Sequence, residues 1–578
     1  MSTGAELAIR LYDVTAREDS SPVCIDIQPF VAADSLREET QKLLPHCATL
    51  EQNFFRLDGS QELFPDSTAG YHWGLWSRSI SGEDCRFAEP PILRISFTKS
   101  HSSIGLTLRF YEQEQDYCNH LRVRWLDATG NLIMAKDFFP QDAAPFLKQK
   151  VEGYHALEVI FLKTAKPCRY LKLAGISYGM ELLLGGGEIS SAVILEEVDP
   201  TCSGVSINTL DITLHSSTAE FSPLNPSGIF SVLQQKQKLS AAAIMDGVRK
   251  EMGSFFLHSW EGDEKNNIKL HGVDAVGLMD KVRYHGGIYR DTPVGEVLRG
   301  LFSLTGGEFT LDDRLATQKL SGYLGICTAR QALGQISLAI GGIVDCSRSE
   351  TVHIYPVPNR PSALIGPNRK LGGQKISLRP QVTGIDVTAH GFTATPERYT
   401  AFEEPLAPGG YTILFSEPTH ALEVSGATVI EAAVNHVKLW VHTTGTVTVT
   451  GGRYLHSKQV VANSLSEQVA NLADNRLKVE NATLVHTGNA GEVLERLRGC
   501  CERVLAGELS VRMGEERVAD MIMVNGSKGE NIKGIVERME TDLTRGCITK
   551  ISIAAQRIET VSSSYTGELY SGQRWGVL

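Results

Sequence analysis

The feature that most constrains this chain is a series of short segments in which apolar and polar side chains alternate. This alternation is the pattern of β-strands that bury one face and expose the other. Turn-forming sequences such as Asp127-Ala-Thr-Gly-Asn separate the segments. The clearest segments in the first third of the chain are 92–97, 104–110, 121–126, 156–162 and 170–176. Short strands at this spacing predict a β-sandwich over residues 66–180.

Strand patterns dominate the remainder of the chain as well, with a few helices between them. Further strands are predicted at 210–214, 382–389, 437–441 and 447–450. Pro293 and Thr328 mark two helix starts, because proline favours the first helical position and threonine favours the N-cap. Val297, Leu298, Leu301 and Phe302 form the apolar stripe of the first helix, and Leu333, Ile336 and Ile340 form that of the second.

Gly306 and Gly341 end these two helices, since glycine readily takes the left-handed conformation of a helix C-terminus. Asp274 is predicted to cap a shorter helix over 275–282, and a last helix is predicted to begin near Gly488 and to bury Cys501 and Val504. We therefore expect a mainly β chain with a few helices, an α+β fold spread over several domains.

Length and charge restrict the function. The 578 residues correspond to roughly three to five domains. The net charge of −11 disfavours nucleic-acid binding by the chain as a whole. No apolar run approaches the roughly 18 residues that span a bilayer, so we expect no membrane insertion. The 11 cysteines contain no Cys-x-x-Cys pair, which is typical of reduced thiols rather than a disulfide scaffold.

No catalytic or metal-binding signature is present in the sequence. It lacks His-Glu-x-x-His, a Walker loop and a Gly-x-Ser-x-Gly elbow. His436 and His442 flank a strand, and we interpret them as surface or edge residues. Three neighbouring carboxylate pairs are interpreted as solvated faces or turns, because catalytic carboxylates need a set separation across a cleft. These pairs are Glu196-Glu197, Asp312-Asp313 and Glu403-Glu404. We expect no enzyme activity, no metal and no organic cofactor.

Aromatic residues are dense in the predicted sandwich, where many carbohydrate-binding sandwiches stack sugars on aromatic rings. Trp125 lies on an alternating strand and is predicted to be core. Trp73 and Trp76 are the candidates for contact with a glycan. The competing interpretation is that these two indoles also pack inside the protein.

Three stretches of the chain resemble tail proteins encoded by phages and prophages of Gram-positive, Clostridia-type bacteria, in particular the baseplate hub or tail-associated group. The resemblance extends over residues 8–556 as a pattern of strands and turns. The first stretch comprises 11–19 (Leu-Tyr-Asp-Val-Thr-Ala-Arg-Glu-Asp), 48–53 and 57–66; the second comprises 189–200 and 206–213; the third comprises 322–335 and 339–349 (Ala-Ile-Gly-Gly-Ile-Val-Asp-Cys-Ser-Arg-Ser).

The resemblance implies a structural protein at the tip of a tail. It implies a homotrimeric ring in which each chain carries two related β-barrel-like hub regions, so that a six-fold tail tube meets a central spike. Segment 1–65 would pack on the hub, 66–180 would be a galactose-binding-like jelly roll, and 181–372 and 373–556 would be the hub regions.

The partners implied are the tail tube or distal tail protein, the spike or tip protein and the tape measure protein. The chain would reside in the virion baseplate after synthesis in the host cytoplasm. Contractile tails, non-contractile tails and DNA-free bacteriocin particles (tailocins) stay open alternatives. A rival function is that of a carbohydrate-binding adhesion module that contacts a host surface glycan through 66–180.

The C-terminal segment 557–578 is rich in Ser, Gly and Tyr. It has too few aliphatic residues to build a core of its own. Tyr565, Tyr570 and Trp575 are candidate assembly contacts, because tyrosine and tryptophan anchor interfaces with few rotatable bonds. We expect the segment to order against a neighbouring hub subunit or the spike; the alternative is a frayed end.

Overall fold

The computed structural model describes most of the chain, which divides into two compact units. One unit, the sheet unit, comprises Met1–Leu7 and Leu184–Leu578, and the other, the sandwich unit, comprises Ala8–Leu183. The described residues are 4–12, 14–28, 31, 33, 36, 47–49, 51–52, 62–63, 73–111, 114–215, 233, 235–263, 265–464, 475–526 and 531–557.

The described residues are mainly strand, with short helices between strands, which confirms the predicted mainly β, multidomain class. The first eleven strands and one helix extend to Leu184. They are β1 (Gly4–Tyr12), α1 (Val14–Asp19), β2 (Ser21–Cys24), β3 (Cys47–Ala48), β4 (Glu62–Leu63), β5 (Leu75–Ile80), β6 (Ile92–Phe110), β7 (Cys118–Leu126), β8 (Leu132–Phe138), β9 (Phe146–Thr164), β10 (Tyr170–Ser177) and β11 (Gly179–Leu184).

The sandwich unit is built on one antiparallel sheet of seven strands in the order β5-β10-β6-β9-β7-β8, with β2 paired to β6. One of its two longest strands, β6, replaces two predicted strands, since 92–97 and 104–110 both belong to it. The ladder between β6 and β9 changes register three times between Ser96 and Gly105. Such bulges bend long strands. Trp125, as predicted, is fully buried in the core, where Leu93 and Leu108 from both ends of β6 also lie.

The sheet unit contains the remaining strands and helices. They are β12 (Ile189–Glu197), β13 (Thr209–His215), β14 (Lys238–Met245), β15 (Val248–Gly262), β16 (Asn267–Val273), α2 (Ala275–Leu278), β17 (Arg283–Tyr284), β18 (Gly287–Pro293), α3 (Val294–Thr305), β19 (Phe309–Leu311), α4 (Asp313–Ala316), β20 (Lys319–Leu324), β21 (Cys327–Thr328), α5 (Ala329–Ile340), β22 (Gly342–Asp345), β23 (Val352–Pro356), β24 (Ala363–Ile365), β25 (Lys370–Leu378), β26 (Gly384–Leu406), β27 (Gly409–Leu414), β28 (Thr419–Ser425), β29 (Thr428–Ala432), β30 (His436–Val441), β31 (Gly445–Ser464), β32 (Arg476–Val479), α6 (Ala490–Cys501), β33 (Leu505–Arg512), β34 (Met521–Asn525), β35 (Asn531–Asp542) and β36 (Ile548–Arg557), with 3₁₀ turns at Met279–Lys281 and Pro367–Arg369.

A large sheet organises this unit and is formed by two sets of strands from distant parts of the chain. Its order is β14-β15-β16-β13-β12-β35-β36-β33-β25, with β34 paired to β35 and β24 to β34. The first set is β12–β16, and the second is β33, β35 and β36 with β25. The two sets meet along an antiparallel ladder from Val193 opposite Asp542 to Glu197 opposite Arg538.

The two predicted long helices, α3 and α5, lie in a common core with β20, β22 and β23. Leu333, Ile336 and Leu298 are fully buried there. Thr328 caps α5 through a reciprocal capping box with Gln331. One predicted boundary is wrong: Pro293 is the last residue of β18 and stands at the N-cap of α3, which begins at Val294.

Two other predicted helices end earlier in the structure than the sequence pattern indicates. Asp274 does cap α2, where its carboxylate accepts from the Gly277 N–H, but that helix passes into a 3₁₀ turn at Met279. Helix α6 ends at Cys501, which is only half-buried, and Val504 lies beyond it. The long hairpin of β26 and β31 packs against α6 through Ile385 and Val387.

Candidate functional site

The two candidate glycan contacts lie side by side inside the sandwich unit. Trp73 is 4% exposed and Trp76 is 2% exposed, and they share a small cluster with Val31 and Tyr111. The Trp76 Nε1–H donates to the Tyr111 hydroxyl at 2.7 Å, and that hydroxyl donates to the Trp73 carbonyl at 2.9 Å. The indole rings meet edge to face, with centroids 6.1 Å apart. This geometry matches the packing interpretation, and glycan contact stays a prediction that requires an indole to become exposed.

A buried lysine lies next to these rings. The Nζ atom of Lys172 is 2.8 Å from Glu51, 3.1 Å from Glu114 and 3.1 Å from Asp116, and the Lys172 side chain is fully buried. The same ammonium lies 5.1 Å from the centre of the Trp76 ring. Burial alone would lower the pKa of Lys172, but the three carboxylates more than compensate and raise it. Lys172 is therefore a charged group held in place by its partners, unlike a catalytic lysine, whose pKa is lowered.

Two further cations complete the cluster. Lys166 Nζ lies 3.3 Å from Asp116, and Arg169 Nε lies 3.7 Å from the same carboxylate oxygen. Three carboxylates thus face three cations, so the cluster is balanced in charge. Its role in the fold is to attach Glu51, from the N-terminal segment, to β10. Sequence reasoning did not single out this cluster, because Glu51 and Lys172 are far apart in the chain and each appears solvated when considered alone.

The N-terminal segment 1–65 contributes to both units. β2 pairs with β6 in the sandwich unit. In the sheet unit, Glu6 forms an ion pair with Arg249 at 2.8 Å, and β1 borders β14. The predicted division into 66–180, 181–372 and 373–556 stays a prediction beside the two compact units.

One of the three carboxylate pairs was misinterpreted from the sequence. Glu196 is 1% exposed and forms a two-pronged ion pair with Arg348, which is 2% exposed, at 3.2 and 3.3 Å. Burial raises the pKa of Glu196, and the guanidinium opposes that rise. Glu196 is therefore neither solvated nor in a turn. It lies on β12, and the ion pair ties that strand to the loop after β22.

The other predicted carboxylates have ordinary structural roles. Asp312 caps α4 by accepting from the Arg314 N–H. The neighbouring Glu403 and Glu404 are exposed on β26, as expected for a solvated face.

His436 and His442, the two histidines singled out from the sequence, differ in burial and in the residues that they contact. His436 is buried rather than at the surface, which corrects that expectation. Its Nε2 lies 3.2 Å from Glu431, and its ring packs on His285 with centroids 4.3 Å apart. His442 is exposed and contacts Thr428. In the part of the chain that the structure describes, no group of three or more His, Cys, Asp or Glu side chains could hold a metal ion.

A second histidine pair joins β26 to β31. His390 Nδ1 and His456 Nε2 are 2.9 Å apart, and the two rings stack with centroids 5.1 Å apart. Phe392 also stacks on His456, with ring centroids 4.4 Å apart. Burial lowers the pKa of both histidines, and His456 lowers that of His390 further. Alternation predicts strands at 382–389 and 447–450, which overlap β26 and β31, but it does not indicate which residues of the two strands face each other.

A cleft of about 570 Å³ lies on the polar face of the second strand set. Charged side chains pair across its strands: Lys550 with Glu540 at 3.2 Å and Arg538 with Glu197 at 3.0 Å. Its other lining residues include Gln374, Lys375, Glu508, Ser510 and Ser552. The cleft is polar, and each of these cations has a carboxylate partner. It resembles a contact surface more than a site for a reacting group.

No protein-family model and no curated protein matches the sequence. Three solved structures are similar over about two thirds of the chain. The 43 kDa tail protein of prophage MuSo2 from Shewanella oneidensis is 8% identical, covers 64% of this chain and 94% of its own, and has a TM-score of 0.39. The tail protein from Neisseria meningitidis MC58 is 9% identical, with coverages of 66% and 94% and a TM-score of 0.41. Prophage tail protein gp18 from Listeria monocytogenes EGD-e is 11% identical, with coverages of 65% and 90% and a TM-score of 0.37.

At these identities and TM-scores, the similarities assign neither a family nor a function to this chain. Among the described helices, none is long and apolar enough to cross a membrane.

Proposed function

We propose that this chain is a structural baseplate hub subunit at the tip of a phage or phage-derived tail. Three copies form a ring that joins a six-fold tail tube to a central spike. The observation that carries the proposal is the large sheet of two strand sets, joined edge to edge between β12 and β35. The resemblance of residues 8–556 to hub proteins implies two related hub regions per chain, and each predicted hub region supplies one strand set.

The chemistry of the surfaces supports assembly over catalysis. The cleft on the second strand set is lined by charges that are paired within the chain, as described above. Polar surfaces with paired charges are typical of the rim of an interface, where they fix orientation more than they add affinity. In the proposed ring, this chain has no enzyme activity of its own, and any wall-degrading activity belongs to another chain.

The proposed partners are two further hub copies, the tail tube or distal tail protein, the spike or tip protein and the tape measure protein. The proposed location is the virion baseplate, after synthesis in the cytoplasm of a Gram-positive, Clostridia-type host. The buried indoles of the sandwich unit give the rival adhesion function no specific support, so the hub function is preferred.

The oligomeric state of the purified full-length chain tests the proposal. Light scattering after size exclusion should give three times the chain mass, and electron cryo-microscopy should show a ring with three-fold symmetry and six similar β-rich lobes. Antibodies against the chain should label the tips of purified tail particles. A chain that is monomeric at every concentration and absent from such particles would contradict the hub function.

A further inference from the structure

The last strand of the large sheet, β25, has an open outer side. It pairs with β33 on its inner side, and none of the described strands pairs with its outer side. Ile376 is 43% exposed and Leu378 is 72% exposed on this strand. An exposed apolar strand at a sheet edge is a template for another strand unless it is covered.

The exposed apolar side chains continue the buried face of the sheet. Leu378 lies opposite Leu505, and Ile376 lies opposite Gly507. These residues of β33 in turn lie opposite Ala555 and Ile553 of β36, which are buried in the core. Side chains on directly paired residues share a face. The core face therefore runs to the sheet edge, where no described strand pairs beyond β25.

The opposite face of the same strand is polar. Lys375 is mostly exposed there and lies 3.5 Å from Glu508 on β33. The strand thus presents an apolar side and a charged side at its edge. A covering strand must offer the same alternation, with apolar side chains on one face and hydrophilic side chains on the other.

The outward hydrogen-bonding groups of β25 can be identified from the ladder. The Arg379 N–H donates to the Val504 carbonyl at 2.8 Å, directly beyond the pair of Leu378 with Leu505. Residues in an antiparallel ladder point their N–H and C=O groups alternately toward and away from the partner strand. The N–H and C=O groups of Gln374, Ile376 and Leu378 consequently point away from β33, toward the open side.

The C-terminal segment begins close to this edge. β36 leads to Arg557, and its Ala555 is level with Leu505 and Leu378, so the chain leaves the sheet at the same end as Leu378. Three strand spacings separate β36 from the open side of β25, roughly 14 Å, which about five extended residues span. Residues 558–578 lie outside the described residues and supply 21 positions, enough for that crossing and a strand along β25.

A crossing of about five residues takes up 558–562, so the strand itself would begin near Ser563. Tyr565 and Leu569 then fall on one face of the extended strand, together with the small residues Ser563 and Gly567. Ser564, Thr566 and Glu568 fall on the other face, which would lie beside Lys375. A chain that crosses from the end of β36 would run along β25 in the opposite direction, which is the antiparallel arrangement.

We propose that the segment 558–578 of the same chain adds to β25 as an antiparallel edge strand that begins near Ser563, with Tyr565 and Leu569 on the face that covers Ile376 and Leu378. This pairing rests on the position of the sheet edge and does not depend on the hub function. It assigns Tyr565 to the contact within the chain and leaves Trp575 beyond the strand.

Amide hydrogen exchange of the full chain, compared with a chain that ends at Arg557, tests the pairing. The amides of Ile376 and Leu378 should be protected in the full chain, and truncation should speed their exchange at least about tenfold. The same rates in both chains, whether fast or slow, would overturn the proposal. Protection that disappears on dilution would also overturn it, because the occupant would then be the segment of a second copy.

A pair of substitutions provides an independent readout in the full-length chain. Ile376→Glu places a charge under the proposed strand and should accelerate chymotryptic cleavage after Tyr565 about tenfold. Ile430→Glu is the matched control, since Ile430 is an exposed isoleucine on β29, in a different sheet. Equal cleavage rates in the two variants would contradict the pairing. A monomeric chain with a protected edge would support this inference even if the hub function failed.

Discussion

The most strongly constrained charge in the sandwich unit belongs to Lys172. Its ammonium is surrounded by Glu51, Glu114 and Asp116 without access to solvent. Removing one member of such a cluster leaves the others buried without compensation, which costs more than the intact pairs contribute. The cluster therefore determines which segments must be present for this unit to fold.

The first prediction is that Lys172→Met destabilises the sandwich unit by about 3–5 kcal/mol, because it leaves carboxylates buried without their cation. Urea denaturation followed by tryptophan fluorescence measures the change, since Trp76 lies beside Lys172 and contacts Trp73. Lys150→Met is the control, because Lys150 and its partner Glu152 are both exposed. Because that pair is exposed to solvent, its loss should change the stability very little. Similar stabilities for the two variants would exclude a structural role for the cluster.

The second prediction concerns acid sensitivity at His390 and His456. Burial lowers the pKa of both rings in the folded state, below the value of about 6.5 expected when unfolded. The folded state therefore favours neutral rings. Their stabilising contribution is present above pH 6.5 or so and is lost as the pH falls through the folded-state pKa values. The melting temperature should consequently decrease between neutral and mildly acidic pH.

The source of that acid sensitivity can be isolated by substitution. Lys458 also lowers both pKa values, so acidification adds charge to a site that is already positive. His390→Gln should reduce the dependence of the melting temperature on pH, whereas His442→Gln, at an exposed position, should retain it. A steep dependence that persists in His390→Gln would assign the effect to other groups.

Among the elements, the helices with complete local signals were the most predictable. Thr328, Gln331 and Gly341 lie within one short segment, so the cap, the capping box and the stop of α5 can be read without knowledge of the fold. Strand existence was also predictable from alternation. The union of 92–97 and 104–110 into β6 was not, because it depends on the bulges in the ladder with β9.

The third prediction tests the core role of α5. Ile336 is fully buried between α3 and β22, so Ile336→Asp should lower the free energy of unfolding by several kcal/mol through burial of an unpaired charge. Thermal melting and assembly both report the loss. Leu304→Asp on α3 is the control, because Leu304 is exposed and should cost little. Wild-type melting of Ile336→Asp would contradict the core assignment.

At the level of the whole molecule, the sheet and its sites depended on pairings between distant segments. Neither the joining of β12 to β35 nor the meeting of Glu51 with Lys172 has a local signature in the sequence. The Glu196 side chain illustrates the same limit, since a carboxylate next to Glu197 resembles a solvated residue until Arg348 is brought to it. Pairing between distant segments produces the compact units. Local sequence patterns predict only where the individual helices and strands lie.

The fourth prediction concerns the boundary of the sandwich unit. A fragment of residues 8–183 should unfold cooperatively, because it retains β2 and Glu51. A fragment of residues 66–180 lacks both, so the edge of β6 is uncovered and Lys172 loses a partner. Its free energy of unfolding should be lower by about 3 kcal/mol or more. Equal melting temperatures of the two fragments would contradict this prediction and would place the boundary of the unit near residue 66. Glycan binding by either fragment would support the adhesion function.

The ladder between β12 and β35 has a consequence for synthesis. It pairs Glu197 with Arg538, about 340 residues later in the chain. A ribosome that adds roughly 5–20 residues per second exposes Arg538 roughly 17–70 s after Glu197. During that interval the edge of β12 has no partner from its own chain, and neighbouring nascent chains on the same messenger are the nearest wrong partners. A chaperone that occupies 189–197 until translation ends should therefore raise the yield of soluble protein.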